Sequence, residues 1–173
     1  YEKNISSRYV EQLERFIDIP KLIENINPSS YDFSKHDCLI CTDAGSIHHL
    51  SSTSDFEKPQ NIKVVNIDHH EGNKGYGDYN YVKELGSACS VVYELLKKWE
   101  IKPDVQVANA LLIGITLDTG FYNYNSTTAL DFYYSGELID LGAKHYDITW
   151  QLTFNENEAD QKVRKVVFSN LVI

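Results

Sequence analysis

The stretch Val64-Val65-Asn66-Ile67-Asp68-His69-His70 constrains the fold more than any other part of the chain. Val64, Val65 and Ile67 are β-branched, and this short apolar run stops abruptly at an acid and two imidazoles. A run of that length bounded by polar residues reads as a buried strand rather than a helix. In an open parallel sheet, the residues just past a strand's carboxyl end face the crevice where ligands bind. Asp68-His69-His70 there puts a carboxylate and up to two neutral nitrogens at one spot, a set that suits a divalent cation. A polar strand end facing solvent accounts for the tripeptide equally well. Other residues must decide.

Two further acids repeat the layout. Cys38-Leu39-Ile40-Cys41 is a second apolar run, and it ends in Thr42-Asp43-Ala44-Gly45. Downstream, Pro103-Asp104 opens a helix with Val107, Ala110, Leu111 and Ile115 inward, running toward Asp118-Thr119-Gly120. Asp43, Asp68-His69 and Asp118 lie about 25 and about 50 positions apart, each closing an apolar element before a polar or glycine-bearing loop, and Asp43, His69 and Asp118 are expected to converge. Elements lying side by side bring such ends to one edge of the sheet. Two carboxylates about 4 Å apart repel by roughly 4 kcal/mol at an effective dielectric of about 20, so the cluster must take up protons or bind a cation. Mixed carboxylate and imidazole ligands suit Mn²⁺ and similar ions better than Ca²⁺.

The rest of the chain supplies helices. Tyr9, Val10, Leu13, Phe16 and Ile17 predict a helix over Arg8–Ile17, closed by Pro20, and Asn27-Pro28-Ser29-Ser30 reads as a turn. Three glycines between Gly72 and Gly77 predict a mobile loop just past the histidines, which could close over a ligand, although a glycine-rich loop is more often only a connection. Ser87 is the N-cap of a helix whose buried stripe is Val91, Val92, Leu95, Leu96 and Trp99. Thr128 starts another that ends at Gly142, and Asp147 caps a further helical stretch before Val163–Ile173 closes the chain without a tail. The expected fold is α/β, a largely parallel sheet flanked by helices, in one domain over the 173 residues.

Composition narrows the setting. No stretch approaches the ~20 apolar residues of a membrane span, and the N-terminus lacks a signal-peptide pattern. An odd count of three cysteines points to a reducing, cytoplasmic compartment. Cys38 and Cys41, three apart on a strand, face opposite ways, which makes them core thiols rather than a redox or zinc pair. The net charge of −9 argues against gripping long nucleic acid through a basic surface. An anionic substrate must be attracted locally, by bound cations or by protein outside this chain.

Asp43, Asp68-His69-His70 and Asp118-Thr119-Gly120-Phe121 resemble the second, third and fourth signature motifs of the DHH phosphoesterases. The resemblance runs on through Asn125-Ser126-Thr127 and Leu138-Ile139-Asp140-Leu141-Gly142-Ala143, and is strongest toward the nanoRNase and pAp-phosphatase branch. RecJ-type exonucleases come next, and family II pyrophosphatases match less well around Asp118. It implies that Asp43 bridges two Mn²⁺ ions, with Mg²⁺ as an alternative, while His69 and Asp118 ligate one of them. It also implies that His70 faces the substrate phosphate and that Asp68 orients or assists the neighbouring ligands, making His70 and Asp68 the catalytic pair. The expected substrate is a short oligonucleotide or a pAp-like nucleotide, and a homodimer is compatible with the resemblance. The family's first motif, H-x-x-x-D-x-D, does not occur in the chain. Neither does its glycine-rich substrate-binding domain. The expectation is an interior piece of a larger enzyme, holding at most one ion and nearly inert alone.

Among the remaining candidates, His48-His49 are expected at the surface, because adjacent side chains rarely point the same way, and His36 and His145 are expected to be solvated. Phe132-Tyr133-Tyr134 read as core or interface, while Phe121 and Tyr122, beside Asp118, have the better claim to stack a base. A rival reading is a non-catalytic domain that keeps the fold and binds a nucleotide or a protein partner.

Overall fold

Both apolar runs ending in acids are strands, and they lie next to each other. A computed structural model of the chain describes residues 15–17, 26–51, 56–154, 162 and 165. In it β1 (Cys38–Thr42), β2 (Lys63–Asp68) and β3 (Tyr79–Val82) form a parallel sheet in the order β1-β2-β3. Thr42 pairs with Ile67, so the chain leaves β1 level with the end of β2. The Asp43 amide then donates to the Ile67 carbonyl at 3.1 Å. Register alone therefore sets Asp43 beside Asp68.

Alternation along β2 splits its side chains between two faces. Val65 and Ile67 pack with the helices, whereas Val64, Asn66 and Asp68, all fully buried, turn to the other side. There Asn73, from the loop after β2, hydrogen-bonds to both Asn66 and Asp68, while Gly77 lies along the strand's edge. A side chain on Gly77 would meet the Val64 carbonyl at 2.8 Å and the Asn66 amide at 3.1 Å, so the loop backbone can lie this close only without one.

Four helices follow among the elements of the described residues: α1 (Ala88–Lys98), α2 (Val105–Asp118), α3 (Ala129–Asp140) and α4 (His145–Phe154). α1 packs on β2, and α2 sits among α1, α3 and α4. Val91, Leu112, Ile115, Leu138 and Ile148 have no exposed surface and form the centre of this core. The starts are capped as the sequence predicts. Ser87 accepts from the Ser90 amide, and Thr128 and Asp131 form a capping box. Asp104 accepts from the Val107 amide, and each such cap is worth roughly 0.5–2 kcal/mol. Gly142, at φ +102°, closes α3 in the left-handed conformation that glycine adopts without strain.

Several expectations need correction. Trp99 is 61% exposed because it is the C-cap of α1, past the turn that carries the buried stripe. Val107 is exposed although it lies one turn before the buried Leu111 on the same side of α2, because it sits in the first turn, at the end of the helix. α4 begins at His145, which puts Asp147 inside its first turn rather than at its cap. Cys38 is exposed while Cys41 is buried. The pair does face opposite ways, but only Cys41 is a core thiol. β3 has no counterpart in the sequence reading. Most of the expected helix over 8–17, and all of the segment 163–173 except residue 165, lie outside the described residues.

Candidate metal centre

Asp43 stands at the end of β1 with φ +57°, a left-handed conformation that Asp tolerates better than most side chains. Strain of this kind persists where the surroundings hold the residue in place. His69, one residue past β2, is fixed from both sides of its ring. Nδ1 donates to the Leu85 carbonyl at 3.0 Å. A carbonyl only accepts, so Nδ1 carries a proton and Nε2 is the nitrogen turned to the acids. Nε2 lies 3.3 Å from Asp43 Oδ1 and 3.2 Å from Asp118 Oδ2. The three residues that sequence spacing singled out meet at one nitrogen.

Asp118 is the last residue of α2. A carboxylate there faces the negative end of the helix dipole, an arrangement that costs about 0.3–1 kcal/mol unless a cation offsets it. Burial pushes its carboxyl up from the usual range, with Asp43 and Asp131 adding to the effect and His69 and His70 opposing it. Asp43 goes the other way, because the His69 hydrogen bond outweighs its burial. The same hydrogen bond, helped by the Leu85 carbonyl and the Asp118 charge, raises His69 to about 9 against the effect of burial. The imidazole thus holds the positive charge that the two acids require. A divalent ion could replace that proton, and an imidazole between two carboxylates is an appropriate donor set.

Asp68 and His70 form a second layer. Asp68 is fully buried, and its two oxygens accept from His70 Nδ1 at 2.8 Å and Asn73 Nδ2 at 2.6 Å. Burial works against its charge, but these bonds and the His69 backbone amide hold its carboxyl below the usual range. His70 remains about half exposed. One ligand atom each from Asp43, Asp68, His69 and His70 lies within 4.8 Å of the others. Both Asp68 oxygens are thereby occupied, one by His70 and the other by Asn73. Asn73 also reaches the Ala44 carbonyl and Asn66, so the glycine-bearing loop expected to be mobile is tied to the site at its base.

A cavity of about 500 Å³ opens beside Asp43 and Asp118, walled by Ala88, Cys89, Val92 and Gly114. Burial pushes the Cys89 thiol up to about 12, with the two acids adding to the shift, so it is no nucleophile at neutral pH. His48 and His49 are exposed on a 3-10 turn (Ile47–Leu50), as expected. His36 and His145 are also exposed, and His36 Nε2 lies 2.7 Å from the Tyr31 hydroxyl. Tyr134 is core, but Phe132 and Tyr133 are exposed. Tyr122 stacks on Phe132 and donates to Ser135, so it is engaged within the fold rather than open to a base.

Residues 4–115 match the N-terminal domain of the DHH family, a span that includes Asp43 and Asp68-His69-His70 and ends just short of Asp118. The chain belongs to the DHH family. Among curated relatives, this DHH chain is 35% identical over 85 residues to the bifunctional oligoribonuclease and PAP phosphatase NrnA of Bacillus subtilis, covering 47% of this chain and 27% of that protein. It is 30% identical over 115 residues to the "probable bifunctional oligoribonuclease and PAP phosphatase NrnA" of Streptococcus mutans, covering 64% and 36%. The matched parts thus span about a third or less of those relatives. Among solved structures, an exopolyphosphatase-related protein of Bacteroides fragilis superposes with a TM-score of 0.69 at 21% identity, over 82% of this chain and 42% of that one. A Methanococcus jannaschii protein described as a family II inorganic pyrophosphatase gives 0.60 at 21%, over 83% and 49%. These likenesses establish the α/β fold. Among the described residues, no helix is long and apolar enough to cross a membrane.

Three contributors to the DHH site left no mark in the sequence reading: the Leu85 carbonyl, Asn73 and Asp131. The first is a backbone group. The other two act through contacts that spacing does not reveal.

Proposed function

We propose that the chain is the metal-holding part of a phosphoesterase that hydrolyses short oligonucleotides or pAp-like nucleotides. The observation that carries this reading is the convergence of His69 Nε2 on the Asp43 and Asp118 carboxylates. Those three side chains would hold a divalent ion, and the donor set favours Mn²⁺, with Mg²⁺ as the alternative. A bound ion would supply Lewis-acid chemistry there, activating water and neutralising charge on the phosphoryl group. The chain's own residues prepare the ground. Asp68 holds the His70 ring through Nδ1, which leaves its Nε2 edge for a phosphate oxygen. Asn73 keeps Asp68 in place from its other oxygen. The description of the relatives as bifunctional oligoribonucleases and PAP phosphatases supports this substrate class.

The chain carries no H-x-x-x-D-x-D stretch, and at a net charge of −9 it repels anions beyond the immediate site. Its turnover by itself is therefore expected to be weak. The test is hydrolysis of pAp and of end-labelled dinucleotides with Mn²⁺, by the chain and by any longer product of its gene, each with and without Asp118→Ala. We expect metal-dependent turnover, stronger in a longer product that carries the first motif, and a fall of about 10²–10³ or more on Asp118→Ala. Turnover indifferent to Asp118→Ala, or a motif-bearing product with none, would overturn the reading.

A further inference from the structure

Asp131 lies on the first turn of α3 with no exposed surface. Among the described residues, no lysine or arginine pairs with it. Its carboxylate instead accepts from four donors. The Thr128 amide and hydroxyl, both 2.7 Å from Oδ2, belong to the capping box of its own helix. The other two come from far along the chain. The Gly86 amide lies 3.1 and 3.0 Å from the two oxygens, and the Ser90 hydroxyl is 2.5 Å from Oδ1. A capping box explains the first two bonds only.

The Gly86 N–H belongs to the same peptide unit as the Leu85 carbonyl, and that carbonyl accepts from His69 Nδ1. A trans peptide is planar, so its N–H and C=O point in opposite directions and turn together. Fixing the Gly86 N–H on Asp131 therefore aims the Leu85 oxygen at the histidine. The close approach is built in, because a Cβ on Gly86 would sit 2.6 Å from Asp131 Oδ2 and 2.8 Å from Thr119 Cγ2. A carboxylate–peptide–imidazole chain also polarises along its length, strengthening each bond. Partners of this kind set the tautomer and ring angle of metal-binding histidines.

We propose that Asp131 is a positioning residue for His69, acting through the Leu85–Gly86 peptide to keep the proton on Nδ1 and turn Nε2 to Asp43 and Asp118. The part of this inference that concerns metal affinity rests on the function proposed above. The part that concerns the ring does not.

The experiment compares the wild-type chain with Asp131→Asn, Gly86→Ala and Thr128→Ala. In each metal-free protein the hydrogen exchange of the His69 Nδ1–H is followed by NMR, and Mn²⁺ affinity is measured by calorimetry. Asp131→Asn keeps the shape but turns an NH₂ toward one pair of donors, and Gly86→Ala attacks the link from the loop side. Both should speed Nδ1–H exchange at least tenfold and weaken Mn²⁺ binding by about 10–100-fold. Thr128→Ala removes only a capping bond, so it should lower stability and leave the His69 signal as in wild type. A folded Asp131→Asn with wild-type Nδ1–H protection would overturn the inference. So would Thr128→Ala matching its loss, since the effect would then be general destabilisation. A wild-type chain that binds no Mn²⁺ would count against the proposed function, while the imidazole signal would still decide the role of Asp131.

Discussion

His69 carries the electrostatic balance of the site, and pH reads that balance directly. Its folded value of about 9 lies above the ordinary 6.5, so the pairing with Asp43 and Asp118 stabilises the fold in full below about pH 6.5. The contribution is lost as pH rises through about 9. In metal-free protein, the urea midpoint should fall between those values, and His69→Gln should flatten that part of the profile. Asp68 makes a different prediction. An amide at this fully buried position must turn its NH₂ toward Asn73 or His70, so Asp68→Asn sets a buried donor against a donor. Unfolding free energy should drop by about 1–3 kcal/mol, as measured by urea denaturation. At this scale the sequence was informative where chemistry and spacing coincide, as at Asp43, His69 and Asp118. It was silent on Asp131 and Asn73, whose partners lie 45 and 29 positions away at their farthest.

Elements were legible where their signals are local. Ser87, Asp104 and Thr128 announced three helices because a cap and a run of apolar residues suffice to start one. β3 was not legible: Tyr79-Asn80-Tyr81-Val82 has no apolar run, and its strand character comes from pairing with β2. Exposure was misjudged at Trp99 and Val107 because periodicity gives a face but not which neighbours cover it. Position also decides what a glycine does in the loop after the histidines. Its glycines suggested freedom, whereas Gly77 serves close packing against the β2 backbone. Gly77→Ala should therefore force β2 and the loop along its edge apart and destabilise the chain by about 1–3 kcal/mol. Thermal unfolding would show it, and an unchanged midpoint would mean that the contact is readily relieved.

For the whole molecule, the notable fact is an acidic chain that gathers further acids at one sheet edge. A net charge of −9 makes such a cluster unfavourable unless a cation sits within it. The fold places Asp43 by strand register, His69 by a loop carbonyl and Asp118 at the end of a helix, so three separate elements converge on one position. Calorimetric titration of the metal-free chain with Mn²⁺ at pH 7.5, repeated in buffers of different ionisation enthalpy, tests this most directly. Below its value of about 9, His69 must give up its proton to an ion. The expected result is weak binding of no more than one ion, with release of close to one proton, abolished in both His69→Gln and Asp118→Asn. Absence of binding, or binding that survives both substitutions undiminished, would contradict a shared cation site.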